Sequence, residues 1–295
     1  MTQIDNAFPI LRSAVGAAAS RMGVSWLDEA TAIIRAAAPE ERLGIVAGYS
    51  PGVSRRLGGA ALGEAGPVIR TACGPLKIAA WSAGDAGRAC LLLAAGLDDA
   101  SEAADEQQAR QVAELFRAGD EGERVSLVRA LCLLSTPCAA VATARQAGRI
   151  NSLRLYAGLA LDNPFPAACY GERDFNQVVL KCLFNGLPIG RIDSLDQKAN
   201  PELSRMCQDY FDERVAAGRA VPSDIYLALV PHADERGLGL AMAALGHADA
   251  AHRIHAARAL TARRDAPGVH DALARRLAVE TDPAVTAILT SRGVA

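Results

Sequence analysis

Apolar residues recur at three- and four-residue steps through almost all of this 295-residue chain, and no stretch clearly shows the two-residue alternation of a half-buried strand. Such a chain closes its core by packing helix stripes on one another. Alanine, the strongest helix former, dominates the apolar share, while aromatics, at 4%, are too sparse for a β-sandwich or barrel. A chain of this length buries roughly 75% of its unfolded surface, ample for one large core or two small ones.

Ser25 reads as an N-cap for a helix carrying Leu27, Ala30, Ile33, Ile34 and Ala37, and Pro39 as the first turn of the next. Further helices are predicted at 67–83, 86–97, 105–118, 121–134, 137–147, 151–161, 174–185, 201–217, 222–230, 234–245, 250–264, 268–279 and 282–291. Most breaks carry Gly, Pro or Asp, and the glycine-rich stretch Gly48–Gly66 is the loosest connection. Short helices with tight turns predict an all-α fold of antiparallel pairs, an irregular HEAT- or armadillo-like α-solenoid, with a compact helical bundle as the alternative. Arg253–Leu260, Leu273–Leu277 and the helix start Asp282-Pro283-Ala284-Val285 read as one HEAT unit. The expected organisation is N-terminal helices and a Gly-rich connection over 1–66, a helical core over 67–231, and HEAT-like helices over 232–295 continuous with it.

With 31 Lys and Arg against 33 Asp and Glu, the chain lacks the basic excess of a dedicated nucleic-acid binder. The longest uncharged apolar runs, Ala89–Leu97 and Cys138–Ala144, fall under half of the ~20 residues that span a bilayer, so no integral membrane segment is expected. Asp5 and Arg12 interrupt the start of the chain, which argues against a signal peptide. Seven scattered cysteines without a CxxC or a paired Cys/His spacing predict reduced, buried thiols in a cytoplasmic protein, with neither a zinc site nor a disulfide framework. His247, Asp249, His252 and His255 cluster, but no recognised ligand spacing completes them, so no metal is predicted. Ser50, Ser54 and Ser82 lack a nucleophile-elbow context, and Gly58-Gly59 and Gly63–Gly66 lack the lysine of a phosphate loop. The acidic run Asp98–Glu106 reads as a solvated capping turn, and no motif names a cofactor.

Residues 160–231 gather a disproportionate share of the Asn, Pro and aromatic residues. Asn163-Pro164-Phe165-Pro166 makes a rigid turn expected to project Asn163 and lead to Tyr170. On the next helix Asn176 lies in the apolar sector of Phe175, Val179, Cys182 and Leu183, opposite Lys181. A buried Asn needs partners; it either ties down the double-proline turn or meets a ligand. Asn200 then caps a helix opened by Pro201, on which Glu202, Arg205, Asp209 and Glu213 share a stripe about 80° wide beside Leu203, Met206, Cys207 and Tyr210. Arg205 can pair with Asp209, whereas Asp209 and Glu213 repel unless Arg214 or Arg219 bridges them. The stripe reads either as two carboxylates lining a groove or as a solvated, salt-bridged face.

These motifs resemble the EboA family. The resemblance is carried by Arg149-Ile150-Asn151, Asn163-Pro164-Phe165-Pro166, Phe175–Lys181, Asn200–Met206, Asp209-Tyr210 and Glu213–Arg219, with Trp81-Ser82, Arg88 and Leu91–Leu93 upstream. It covers roughly residues 76–231; Val178 and Cys182 stand where Met and Ala are expected. The resemblance implies a place in a gene cluster that includes a UbiA-type membrane prenyltransferase and metal-dependent hydrolase-like proteins. In cyanobacteria that cluster is tied to export of the pigment scytonemin. It names no reaction. The expectation is a helical scaffold or small-ligand-binding component of that pathway, contacting ligand or partner through Asn163, Tyr170, Asn176, Lys181, Glu202, Arg205, Asp209, Tyr210, Glu213, Arg214 and Arg219. The alternative is an enzyme using Asp209 and Glu213 as an acid–base or metal-binding pair, and a lipidic ligand between helices is a third reading.

Overall fold

Helices carry most of the described residues, in keeping with the periodicity, and most longer ones begin beside a side chain that can cap them. The computed structural model describes residues 6–63, 66–97 and 104–290 (Ala104 by its backbone alone). Contacts divide the chain into two units, Met1–Tyr170 and Gly171–Ala295. The fold is all-α; the described residues hold one sheet, of two strands.

The first unit runs α1 (Ala7–Ala18), α2 (Arg21–Ala36), α3 (Arg42–Tyr49), α4 (Val53–Leu57), β1 (Val68–Thr71), β2 (Gly74–Lys77) and α5 (Ala83–Ala94). It continues through α6 (Ala104–Ala118), α7 (Glu121–Ala130), α8 (Val141–Arg149), α9 (Leu153–Ala160) and α10 (Phe165–Cys169). Every residue of α5 is buried, and α1, α2, α4 and α7 pack around it. Its apolar run is therefore a helix that meets protein on all sides. Gly87 permits the closest of these approaches: a Cβ there would stand 2.2 Å from Leu57 Cδ1 of α4. Leu57 is itself buried and has nowhere to swing. Gly87→Ala is expected to cost about 1–3 kcal/mol, seen as a lower urea midpoint at unchanged slope. An unaltered midpoint would show that α4 yields without cost.

Four expectations are corrected here. Residues 67–83 form no helix but an antiparallel hairpin, with Ile69 facing Leu76 and Thr71 facing Gly74. Pro75 cannot supply the N–H of a helix interior, and Gly74 takes φ +122°, which favours glycine. The second helix starts at Arg21, capped by Ser20, whose Oγ accepts from the Gly23 N–H at 3.1 Å; Ser25 lies a turn inside it. Pro39 sits in a turn, and the next helix begins at Arg42. Cys138 and Cys169 are joined in a disulfide, so the cysteines are not all reduced. Their separation of 31 residues forms no motif; only the approach of α10 to the turn before α8 pairs them. Cys90, Cys182 and Cys207 are free thiols that burial pushes up to about 12. Of the run Asp98–Glu106, residues 98–103 lie outside the described residues, while Asp105 and Glu106 open α6.

The second unit runs α11 (Glu172–Phe184), α12 (Leu195–Lys198), α13 (Pro201–Ala216), α14 (Tyr226–Leu229), α15 (Glu235–Ala244), α16 (Ala250–Thr261), α17 (Val269–Leu277) and α18 (Pro283–Thr290). Asn200, Asp234, Asp249 and Asp282 each accept a backbone N–H at a helix start. Helices α16, α17 and α18 pack on one another. Between them the Glu280 carboxylate, fully buried, accepts from Arg276 at 2.7 Å and Arg253 at 3.0 Å, and from two backbone N–H groups. The Arg276 hydrogen bond leads the effects that hold Glu280 well below the usual carboxylate range, against the cost of burial. Among the described residues no helix is long and apolar enough to cross a membrane.

Candidate functional site

The charged stripe of α13 forms as its period requires. Arg205 forks onto Glu202 through Nε and Nη2, at 2.9 and 2.6 Å, and reaches Asp209 through Nη1 at 2.6 Å. The ladder faces solvent: the side chains of Arg205 and Asp209 are 59% and 64% exposed. Glu213 is also exposed and joins no ion pair among the described residues. Neither predicted bridge forms. Arg214 instead donates twice to the Ala220 carbonyl, at 2.8 and 2.6 Å, and fastens the end of α13, while Arg219 stands exposed beyond Gly218. Beside the ladder, buried Tyr210 packs against exposed Phe184, ring centroids 4.5 Å apart.

The buried polar residues of the motif segment are occupied within the fold. Asp162 takes a left-handed turn at φ +52°, and Asn163 points inward, 2% exposed, where projection was expected. Its amide donates to the carbonyls of Val128 and Gly158, at 3.0 and 3.2 Å, and its Oδ1 accepts from the Phe165 N–H and the Cys132 thiol. Asn163 itself thus ties down the double-proline turn. Tyr170 is buried edge-on to Phe165. Asn176 exchanges two hydrogen bonds with Asn200, at 3.1 and 2.8 Å, and so holds the cap of α13. Lys181 is half-buried on α11, where its carbonyl accepts from the Asn185 amide.

A different constellation sits in the first unit, at the start of α5. Ser82 and Asp85 form a capping box: the Ser82 Oγ accepts from the Asp85 N–H at 3.0 Å, and the Asp85 carboxylate from the Ser82 N–H at 2.8 Å. Asp85, 2% exposed, also receives the Ser126 hydroxyl at 2.7 Å and Arg129 Nη1 at 2.5 Å, both from α7. Burial pushes Asp85 up, but the Arg129 charge and the hydrogen bonds of Ser82 and Ser126 outweigh it, holding the carboxyl below its ordinary value. One turn on, Arg88 is 7% exposed and donates to the Ser50 carbonyl, Ser126 Oγ and Ser54 Oγ, at 3.2, 3.2 and 3.1 Å. All three acceptors are neutral. Among the described residues no carboxylate lies within ion-pair distance of this guanidinium, which burial holds below its ordinary pKa.

Arg88 lines a cavity of about 90 Å³ whose walls are otherwise mainly apolar, from Val46, Leu91, Leu92, Leu115 and Leu127. Exposed Ala47 and Ala118 stand at its edge, with Glu123 nearby on α7. Sequence reasoning named Arg88 only within a motif. The overlooked signal was positional, since Arg88 is the one charged residue between Ala86 and Leu97. A lone charge in a run that reads as core must find an interior role.

In the histidine cluster, His247 stacks on His252 at 4.0 Å, and His252 Nδ1 lies 3.2 Å from the Tyr226 hydroxyl. Burial and then the His247 charge lower the His252 pKa. Asp249 is engaged as the cap of α16. Among the described residues no three His, Cys, Asp or Glu side chains converge as a metal site.

Fold and geometry together define an all-α protein with a small, cation-ended apolar cavity in its first unit. The chain belongs to the EboA family, whose model, described as metabolite traffic protein EboA, matches residues 8–230. That span takes in the N-terminal helices, which the sequence motifs did not reach. No curated protein and no solved structure matches the chain.

Proposed function

We propose that this protein is a non-catalytic component of metabolite traffic that holds a small molecule in the Arg88 cavity. The carrying observation is a buried guanidinium at the end of a mainly apolar cavity, whose three acceptors are neutral and which, among the described residues, has no carboxylate within ion-pair distance. Leaving a charge inside a protein without a counter-ion is expensive, and a bound ligand that supplies one relieves the cost. The α13 ladder, with Phe184 beside it, would serve as a contact surface for other proteins of the cluster, the membrane prenyltransferase among them. The family description supports the traffic role. The enzyme reading has less behind it, because the Asp209 carboxylate is committed to Arg205 and open to water.

The test is mass spectrometry of small molecules carried by the chain, purified without denaturation from cells that make the pathway product. Wild type and an Asp209→Asn/Glu213→Gln double variant are expected to carry the same species. Ala118→Trp, which plugs the cavity from its exposed edge, is expected to lose it. If the double variant abolishes pathway output while the plugged variant does not, the enzyme reading replaces this one.

A further inference from the structure

We propose that the ligand of this cavity is a short-chain aliphatic monocarboxylate, its carboxylate forked on Arg88 and its hydrocarbon against Leu91, Leu92 and Leu127. This inference rests on the binding role argued above and adds the chemistry of the ligand.

Charge sets the first limit. The hydrogen-bonded cluster around Ser126 holds one carboxylate, Asp85, and two guanidiniums, Arg88 and Arg129, so within it one positive charge lacks a bonded carboxylate, while Glu123 and Asp120 act on Arg88 only from a distance. A monoanion completes it. A dianion such as a phosphate monoester would overshoot, and would do so near Glu123, which also lines the cavity. Glu123 is not free to withdraw, because its Oε2 accepts from the Asp120 N–H in the capping box of α7.

Donor geometry sets the second. Of the five N–H groups of a guanidinium, three on Arg88 are spent on neutral oxygens. About two remain, the number that a carboxylate takes in a fork; a phosphate can take the same fork but would leave its further oxygens against the apolar walls.

Volume and wall chemistry set the third. About 90 Å³ is the liquid volume of roughly three waters, room for a carboxylate and about one further carbon, with the next methylenes lying toward the edge at Ala47 and Ala118. Four leucines and Val46 around this space would leave a wholly polar ligand poorly matched. An alcohol or amine of the same length would fill the space but would fail to neutralise Arg88.

The experiment is calorimetric titration of the full chain, at fixed ionic strength, with acetate, propionate, butyrate and hexanoate, and with 1-butanol, butylamine and butyl phosphate. Affinity is expected to rise about fourfold per methylene up to butyrate, the value of burying one CH₂, and to flatten beyond it. The alcohol, amine and phosphate are expected to bind at least tenfold more weakly than butyrate. Arg88→Gln is expected to weaken butyrate at least tenfold and to abolish its advantage over 1-butanol. Because Arg88 belongs to a buried network, Ala118→Trp serves as the second variant; it leaves that network intact and is expected to block butyrate. Equal or tighter binding of butyl phosphate or 1-butanol overturns the monocarboxylate while leaving the cavity as a binding site. If no compound of any class binds and Ala118→Trp leaves the species carried from cells unchanged, the binding role falls with it.

Discussion

Asp85→Ala is expected to destabilise the protein by about 3–5 kcal/mol, the cost of removing one partner from a buried ion pair. The substitution leaves Arg129 without its carboxylate and Ser126 with only the Gly122 carbonyl to accept its hydroxyl, and it opens the capping box of a helix on which α1, α2, α4 and α7 pack. A urea titration followed by far-ultraviolet circular dichroism reads the effect, and a loss under 1 kcal/mol would show that water reaches the network and replaces the carboxylate. Asp85→Asn separates charge from shape. The folded pKa of Asp85 is depressed, so its contribution is complete above the unfolded value of about 4 and is lost as pH falls through the lower folded value. Wild type and Asp85→Asn should therefore differ by a constant amount at neutral pH and converge in acid. A gap that widened in acid would reverse the assignment of the shift.

Reduction of the Cys138–Cys169 bridge is the second large effect. Its loop of 31 residues corresponds to about 3–4 kcal/mol of loop-closure entropy in the unfolded chain. Alkylation in denaturant should modify five cysteines before reduction and seven after it, and the urea midpoint should fall on reduction. The Cys138→Ser/Cys169→Ser double variant should match the reduced wild type. Seven modified cysteines without reductant would show that the bridge does not form.

Much of the local structure was legible. Asn200 before Pro201 and Asp282 before Pro283 both cap as read, because a cap is decided by a few consecutive residues. The Arg205 ladder was legible for the same reason, since residues three and four apart on one helix must meet. The hairpin at 68–77 was missed because its strands are only four residues each, too short for alternation to stand out from a helical pattern. Pro75 was the available warning. Asn176 was rightly read as a residue in need of partners, yet its partner Asn200 lies 24 residues away across a contact no spacing encodes.

By itself the sequence determined that the chain is helical, where most of its helices start, and which family it joins. Only the tertiary structure decided which charges lie inside. Arg88 and Arg205 both stand on helices beside apolar neighbours, and the helical period gives the angle of each around its own axis. It does not say whether another helix or water waits at that angle. For Arg88 the answer is protein on nearly every side and a small cavity; for Arg205 it is water. That difference is made by which elements pack across α5 and α13, and packing between distant segments leaves no local mark.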